Sequence, residues 1–212
     1  MSKLAIIDYG MGNLRSVAKA IEHVAADVQV LVTADPAEVL AADRVVFPGQ
    51  GAMPDCMREL DARGLRPAVL EAARNKPFLG ICIGQQMLFE HSQEGDVPGL
   101  CVFKGEVRRF PADKMVGADG ARLKVPHMGW NEVWQKQAHP LWVGIPDGAR
   151  FYYVHSYYVD PADPAIVAAT TDYGIPFTGA VAQANIFAVQ FHPEKSAAAG
   201  LQLLSNFMSW KP

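Results

Sequence analysis

The chain has 212 residues, 50% hydrophobic and 19% charged, with a formal net charge of -3. Those proportions suit one globular domain spanning 1–212 and exclude a disordered chain, while the faintly acidic balance argues against non-specific nucleic-acid binding, which needs basic surface. No apolar run is long enough to cross a bilayer and the opening lacks a secretory apolar region, so a cytoplasmic protein that binds neither membrane nor nucleic acid is expected.

Leu4 to Asp8 is a short apolar run broken by Gly10-Met11-Gly12-Asn13. From Leu14 the apolar residues Leu14, Val17, Ala18, Ile21 and Val24 recur at helical spacing. Val28 to Val32 and Arg44 to Phe47 read as strands, the second ended by Pro48-Gly49. Met53 to Arg63 and Pro67 to Arg74 read as helices, Phe78 to Ile81 as a strand, and Ile83 to Glu90 as the helix after it. This alternation predicts an α/β fold with a central, mostly parallel sheet flanked by helices, whose site lies at the carboxyl ends of the strands. The second half adds β-rich segments at Phe151 to Val154, Tyr157 to Val159, Ile166 to Thr170 and Ile186 to Phe191, which predict further antiparallel strands. Pro111 to Lys124 is polar and reads as an exposed loop or hairpin. Ser196 to Trp210 closes the chain as a helix with Leu203, Leu204, Phe207 and Met208 on its apolar face.

The cysteines at 56, 82 and 101 form no CxxC pair, and no H-E-x-x-H spacing occurs, so neither a structural nor a catalytic metal is expected. Cys82 stands apart. It lies in Gly80-Ile81-Cys82-Ile83-Gly84, between a strand and a helix, in the form of a nucleophile elbow with sulfur in place of oxygen. Gly80 and Gly84 remove side chains that would crowd so sharp a turn. The following N–H, that of Ile83, points where an oxyanion would develop. Cys56 and Cys101 read as small packing residues.

A thiol nucleophile needs a base, and the base needs an orienting acceptor. Gln190-Phe191-His192-Pro193-Glu194-Lys195-Ser196 follows an apolar strand, and in an extended segment His192 and Glu194 face the same side. Val46-Phe47-Pro48-Gly49-Gln50-Gly51 ends another strand in a flexible corner, where the N–H of Gln50 or Gly51 is available as a second oxyanion donor. Each feature alone also fits an ordinary turn. Gly10-Met11-Gly12 invites a dinucleotide reading, but Arg15 stands where the third glycine belongs, so no nucleotide cofactor is expected. His23, His91 and His139 read as surface residues, and Trp130 and Trp134 as packing aromatics.

Taken together, the Pro48-Gly49-Gln50-Gly51 corner, the Cys82 elbow and the late His192-Pro193-Glu194 resemble the class I glutamine amidotransferases, in matching order across nearly the whole chain. That resemblance implies a flavodoxin-like single domain that hydrolyses glutamine with Cys82, His192 and Glu194, using Ile83 and Gln50 or Gly51 as oxyanion donors. It also implies that Gly49, Gln86, Glu94, Ser156 and Tyr157 hold glutamine. Asp8 to Leu14, Pro126-His127-Met128-Gly129-Trp130-Asn131 and Tyr153 to Tyr158 are similar to the branch that delivers ammonia to a separate (β/α)-barrel synthase subunit of histidine biosynthesis. That similarity implies a heterodimer whose docking face includes Met11, Asn13, Trp130 and Lys195. Gln85 departs from the Met or His usual in the family. Branches serving guanylate, aminobenzoate or pyridoxal phosphate synthesis, and a silent regulatory module on the same fold, are the alternatives.

Overall fold

A computed structural model describes residues 2–117 and 120–212. Its first half alternates as the apolar runs require: β1 (Ser2–Ile7), α1 (Leu14–Val24), β2 (Val28–Thr33), α2 (Pro36–Ala41), β3 (Arg44–Gly49), α3 (Met53–Ala62), α4 (Arg66–Asn75), β4 (Phe78–Cys82) and α5 (Ile83–Gln86). The second half is almost all strand: β5 (Phe89–Ser92), β6 (Val97–Pro98), β7 (Phe103–Arg109), β8 (His127–Gln135), β9 (Ala149–His155), β10 (Tyr157–Pro161), β11 (Val167–Asp172), β12 (Pro176–Gln183) and β13 (Ile186–Val189). The last helix, α6, runs Ala197–Ser209.

Strands β2-β1-β3-β4-β13 are parallel throughout, with Gly49 opposite Cys82 and Val189 opposite Ile81. β13 is the seam: it runs parallel to β4 on one side and antiparallel to β12 on the other. Beyond it the β12-β10-β7 ribbon and the β11-β8-β9 meander are antiparallel. β1, β3, β4 and β13 are buried along nearly their whole length, which is why they read as continuous apolar runs. α1 buries Val17, Ala18 and Ile21, the stripe its spacing predicts, and α6 buries Leu203, Leu204 and Phe207. Arg44 on β3 donates to the carbonyls of Phe207 and Trp210, so a cation meets the carboxyl end of α6.

One local expectation changes, and one helix is unforeseen. The helix after Cys82 stops at Gln86, because the carbonyls of Met87 and Leu88 accept from Leu100 and Val102 and the buried Phe89 opens β5. α2 has no counterpart in the apolar spacing. Asp35 caps it by accepting from Ala37 N–H, with Pro36 fixing its first turn. In Pro111 to Lys124, residues 118 and 119 lie outside the described residues, while Val116 and Arg122 bridge as a small hairpin. No helix among the described residues is long and apolar enough to cross a membrane.

Candidate active site

The carboxyl ends of β1, β3, β4 and β13 converge on one edge of the parallel half-sheet, and Cys82 sits there at the end of β4. Its φ of 55° and ψ of -113° lie where side chains other than glycine are strained. The strain persists because both flanks are fixed by packing. A Cβ on Gly84 would collide with the carbonyl of Phe47, and one on Gly49 with the hydroxyl of Tyr9. A Cβ on Gly80 would stand 3.0 Å from that of Ala188. The elbow is therefore pressed onto β3 and β13 with no space left beneath it.

β13 carries the facing group. After Val189 the chain turns through Pro193–Lys195, a 3₁₀ turn rather than the extended segment expected, and that turn brings His192 Nδ1 to 2.9 Å from Glu194 Oε1. Both side chains are almost wholly shielded from solvent. Burial alone would lower the imidazole, but the neighbouring Cys82 sulfur and the Glu194 carboxylate outweigh that and raise His192 to about 10. His192 Nδ1 thus donates to the carboxylate and its Nε2 is left for Cys82, the order a thiol, base and orienting acid require.

These groups open into a cleft of about 250 Å³ lined by Gln50, Gly51, Cys82, Ile83, Gln86, Glu94, Ser156, Tyr157 and His192, with Pro126, Val154 and His155 completing the wall. The structure thus brings together the predicted nucleophile, base, oxyanion loop and glutamine-binding residues, save two that stand behind the wall. Gly49 lies under the elbow against Tyr9 and Ile83, and Glu194 lies behind His192. Glu94 is anchored by accepting from Met53 N–H at the start of α3, at 2.9 Å. Gln50 has its carbonyl held by the Cys56 thiol at 3.6 Å, and Gly51, at φ 110°, packs against Met11.

The sequence reading missed Gln190. It is fully buried, donates to Cys82 Sγ at 3.6 Å and accepts from Gln86 Nε2 at 2.9 Å, tying the elbow to the cleft wall. A polar side chain closing the apolar run Ile186–Val189 was the available signal. His139 is not free on the surface but packs on Phe187 and Trp210, while Cys101 is exposed rather than packed. Trp130 and Trp134 are exposed, not core, at 45% and 43%. Trp130 stands edge-on to Tyr152, whose carbonyl accepts from His192 N–H. Met11, Asn13 and Lys195 are half-buried, and α1 packs against the turn that holds Lys195. Among the described residues no cluster of His, Cys, Asp and Glu fits a metal ion.

The chain is 74% identical to the imidazole glycerol phosphate synthase subunit HisH of Aromatoleum aromaticum over all of both chains. It is 72% identical to that of Dechloromonas aromatica over 99% of this chain and 97% of the other. A solved structure described as a putative GMP synthase subunit from Thermoplasma acidophilum superposes with a TM-score of 0.71 at 19% identity, covering 99% of this chain and 93% of that one, a likeness of fold. The profile of the family described as glutamine amidotransferase class-I matches residues 5–210, and the chain belongs to that family.

Proposed function

We propose that this chain is the glutaminase subunit of an imidazole glycerol phosphate synthase in histidine biosynthesis. What supports the chemistry is one observation: a strained Cys82 faces a buried His192–Glu194 pair at the mouth of a cleft. What supports the pathway is the name carried by relatives at 74% and 72% identity.

In this reading Cys82 Sγ attacks the side-chain amide carbon of glutamine. The tetrahedral oxyanion is held by the N–H of Ile83 and that of Gln50 or Gly51. His192 passes the thiol proton to the departing nitrogen, ammonia leaves, and a glutamyl thioester remains. Water, deprotonated by His192, then breaks the thioester to glutamate and restores the thiol. Glu94 faces the ammonium of glutamine, and Gln86, Ser156 and Tyr157 face its polar ends. Ammonia passes to a partner subunit built as a (β/α)-barrel, docked over Met11, Asn13, Trp130 and Lys195. The exposed Trp130 is the natural anchor of that face. All three cysteines are free, in keeping with a cytoplasmic setting.

Glutamate release from glutamine tests this, with the chain alone, then with a histidine-pathway synthase subunit plus its ribotide ligand, and with Cys82→Ala as control. Strong stimulation lost in Cys82→Ala supports nucleophile and pathway together. Turnover indifferent to that partner points to another branch of the family. Silence throughout overturns the enzymatic reading.

A further inference from the structure

Two buried histidines lie outside the chemistry above. His155, on β9, lines the glutamine cleft, while His127, opposite it on β8, lines a separate surface hollow with Trp130 and Asn131. His127 Nδ1 and His155 Nε2 are 2.9 Å apart. The far nitrogen of each ring is also occupied. His155 Nδ1 lies 2.8 Å from the carbonyl of Tyr157, and His127 Nε2 lies 3.3 Å from Asn131 Nδ2.

The direction of every bond in this series is fixed by its ends. A carbonyl only accepts, so His155 Nδ1 carries the proton and its Nε2, in the neutral ring, accepts. His127 Nδ1 therefore donates, and its Nε2 accepts from Asn131. Asn131 is oriented independently: its amide nitrogen donates to Asp172 carbonyl at 2.8 Å, and its oxygen accepts from Glu132 N–H at 2.8 Å. On the other side, the Tyr157 carbonyl also accepts from Gln86 Nε2 at 3.2 Å, and Gln86 leads through Gln190 to Cys82. The rings cannot rotate. His127 is stacked between Tyr153 and Tyr173, with centroids 4.9 and 3.9 Å away, and His155 is walled by Phe110 and Phe177.

We infer that Asn131, His127 and His155 are positioning residues: a hydrogen-bond series of single direction runs from the surface hollow beside Trp130 to the Tyr157 carbonyl and sets the side-chain amide of Gln86 for glutamine. This rests on the reading of the cleft as a glutamine site. Its consequence is that the orientation of one half-buried amide, on the face where Trp130 stands, governs substrate fit at the far side of two rings. Asn131→Asp puts an acceptor against an acceptor. His127 must then carry a proton on Nε2: either it moves there from Nδ1, His155 turns donor toward His127 and two lone pairs face each other at Tyr157, or His127 takes up a second proton and becomes charged.

Two measurements on the full chain test this. Nitrogen-15 spectra of histidine-labelled protein, with signals assigned by loss in His127→Asn and His155→Gln, are expected to show both rings neutral and protonated on Nδ1. A charged ring, or Nε2–H on either, overturns the proposal whether or not the chain hydrolyses glutamine. Asn131→Asp is expected to put a proton on His127 Nε2, and an unchanged His127 signal overturns the series. In kinetics, His127→Leu is expected to raise KM for glutamine about tenfold, the worth of one lost hydrogen bond, with kcat much less affected. His127→Asn keeps a donor at the Nδ1 position and is expected to recover most of the loss. Equal KM in folded Leu, Asn and unsubstituted proteins overturns the proposal. Glutaminase silence in the unsubstituted protein sinks the glutamine reading instead, and the spectra still decide the series.

Discussion

Acidification acts on the fold through His155. Burial holds this imidazole far below its usual 6.5, at about 3, with nearby His127 and His192 adding to the shift and the Tyr157 carbonyl opposing it. A histidine so depressed binds protons more readily unfolded than folded. Its contribution to stability is therefore present above pH 6.5 and is lost as pH falls toward about 3. At about pH 4.5 the unfolded imidazole is charged and the folded one is not. That two-unit gap amounts to about 2.7 kcal/mol lost relative to neutral pH. His127, lowered by burial to about 4, acts in the same direction. His192 acts oppositely, because its raised value gives stability that is complete below 6.5 and fades toward about 10. His127 and His192 remain in His155→Gln, so the difference between the two proteins reports His155 together with its coupling to them. Urea unfolding of both at about pH 7.5 and about pH 4.5 should show the variant losing about 2.7 kcal/mol less across that interval. Equal losses in the two proteins refute a neutral, buried His155.

Gln190→Leu nearly preserves volume but strips the donor from Cys82 Sγ and an acceptor from Gln86. Glutamate release should fall about 10- to 100-fold in kcat/KM while urea stability drops by no more than about 2 kcal/mol. Gly84→Ala forces a methyl into the Phe47 carbonyl and should cost about 3 kcal/mol or more, read as a collapse of the unfolding midpoint. Trp130→Ala should weaken partner binding by about 2 kcal/mol, or roughly 30-fold in Kd by calorimetry, with turnover of the isolated chain unchanged.

The parallel half of the sheet and the elbow were legible because buried strands and sharp turns leave strong local marks: continuous apolar runs, and glycines where backbones touch. Cys82, His192 and Glu194 were legible for the same reason, each lying beside such a mark. β12 left no mark. Its core is Gly179, Ala180, Val181 and Ala182, buried on both faces, so neither alternation nor β-branched bulk announces it. α5 was overread because Met87, Leu88 and Phe89 continue the apolar character of a helix, while the bonds that end it come from Leu100 and Val102, beyond the reach of local pattern. The His127–His155 pair was invisible in principle. The residues lie 28 positions apart, and only the β8–β9 register sets them face to face.

The seam at β13 ties chemical competence to the completion of folding. Cys82 and Gln190 are 108 residues apart, and every strand of the antiparallel half is made between them. A growing or partly folded chain exposes the elbow sulfur long before the base beside β13 arrives. Closing so long a loop is slow in entropy terms and yields nothing until β13 zips onto both β4 and β12. Until β13 pairs with β4, Cys82 therefore has neither Gln190 nor the His192 base beside it.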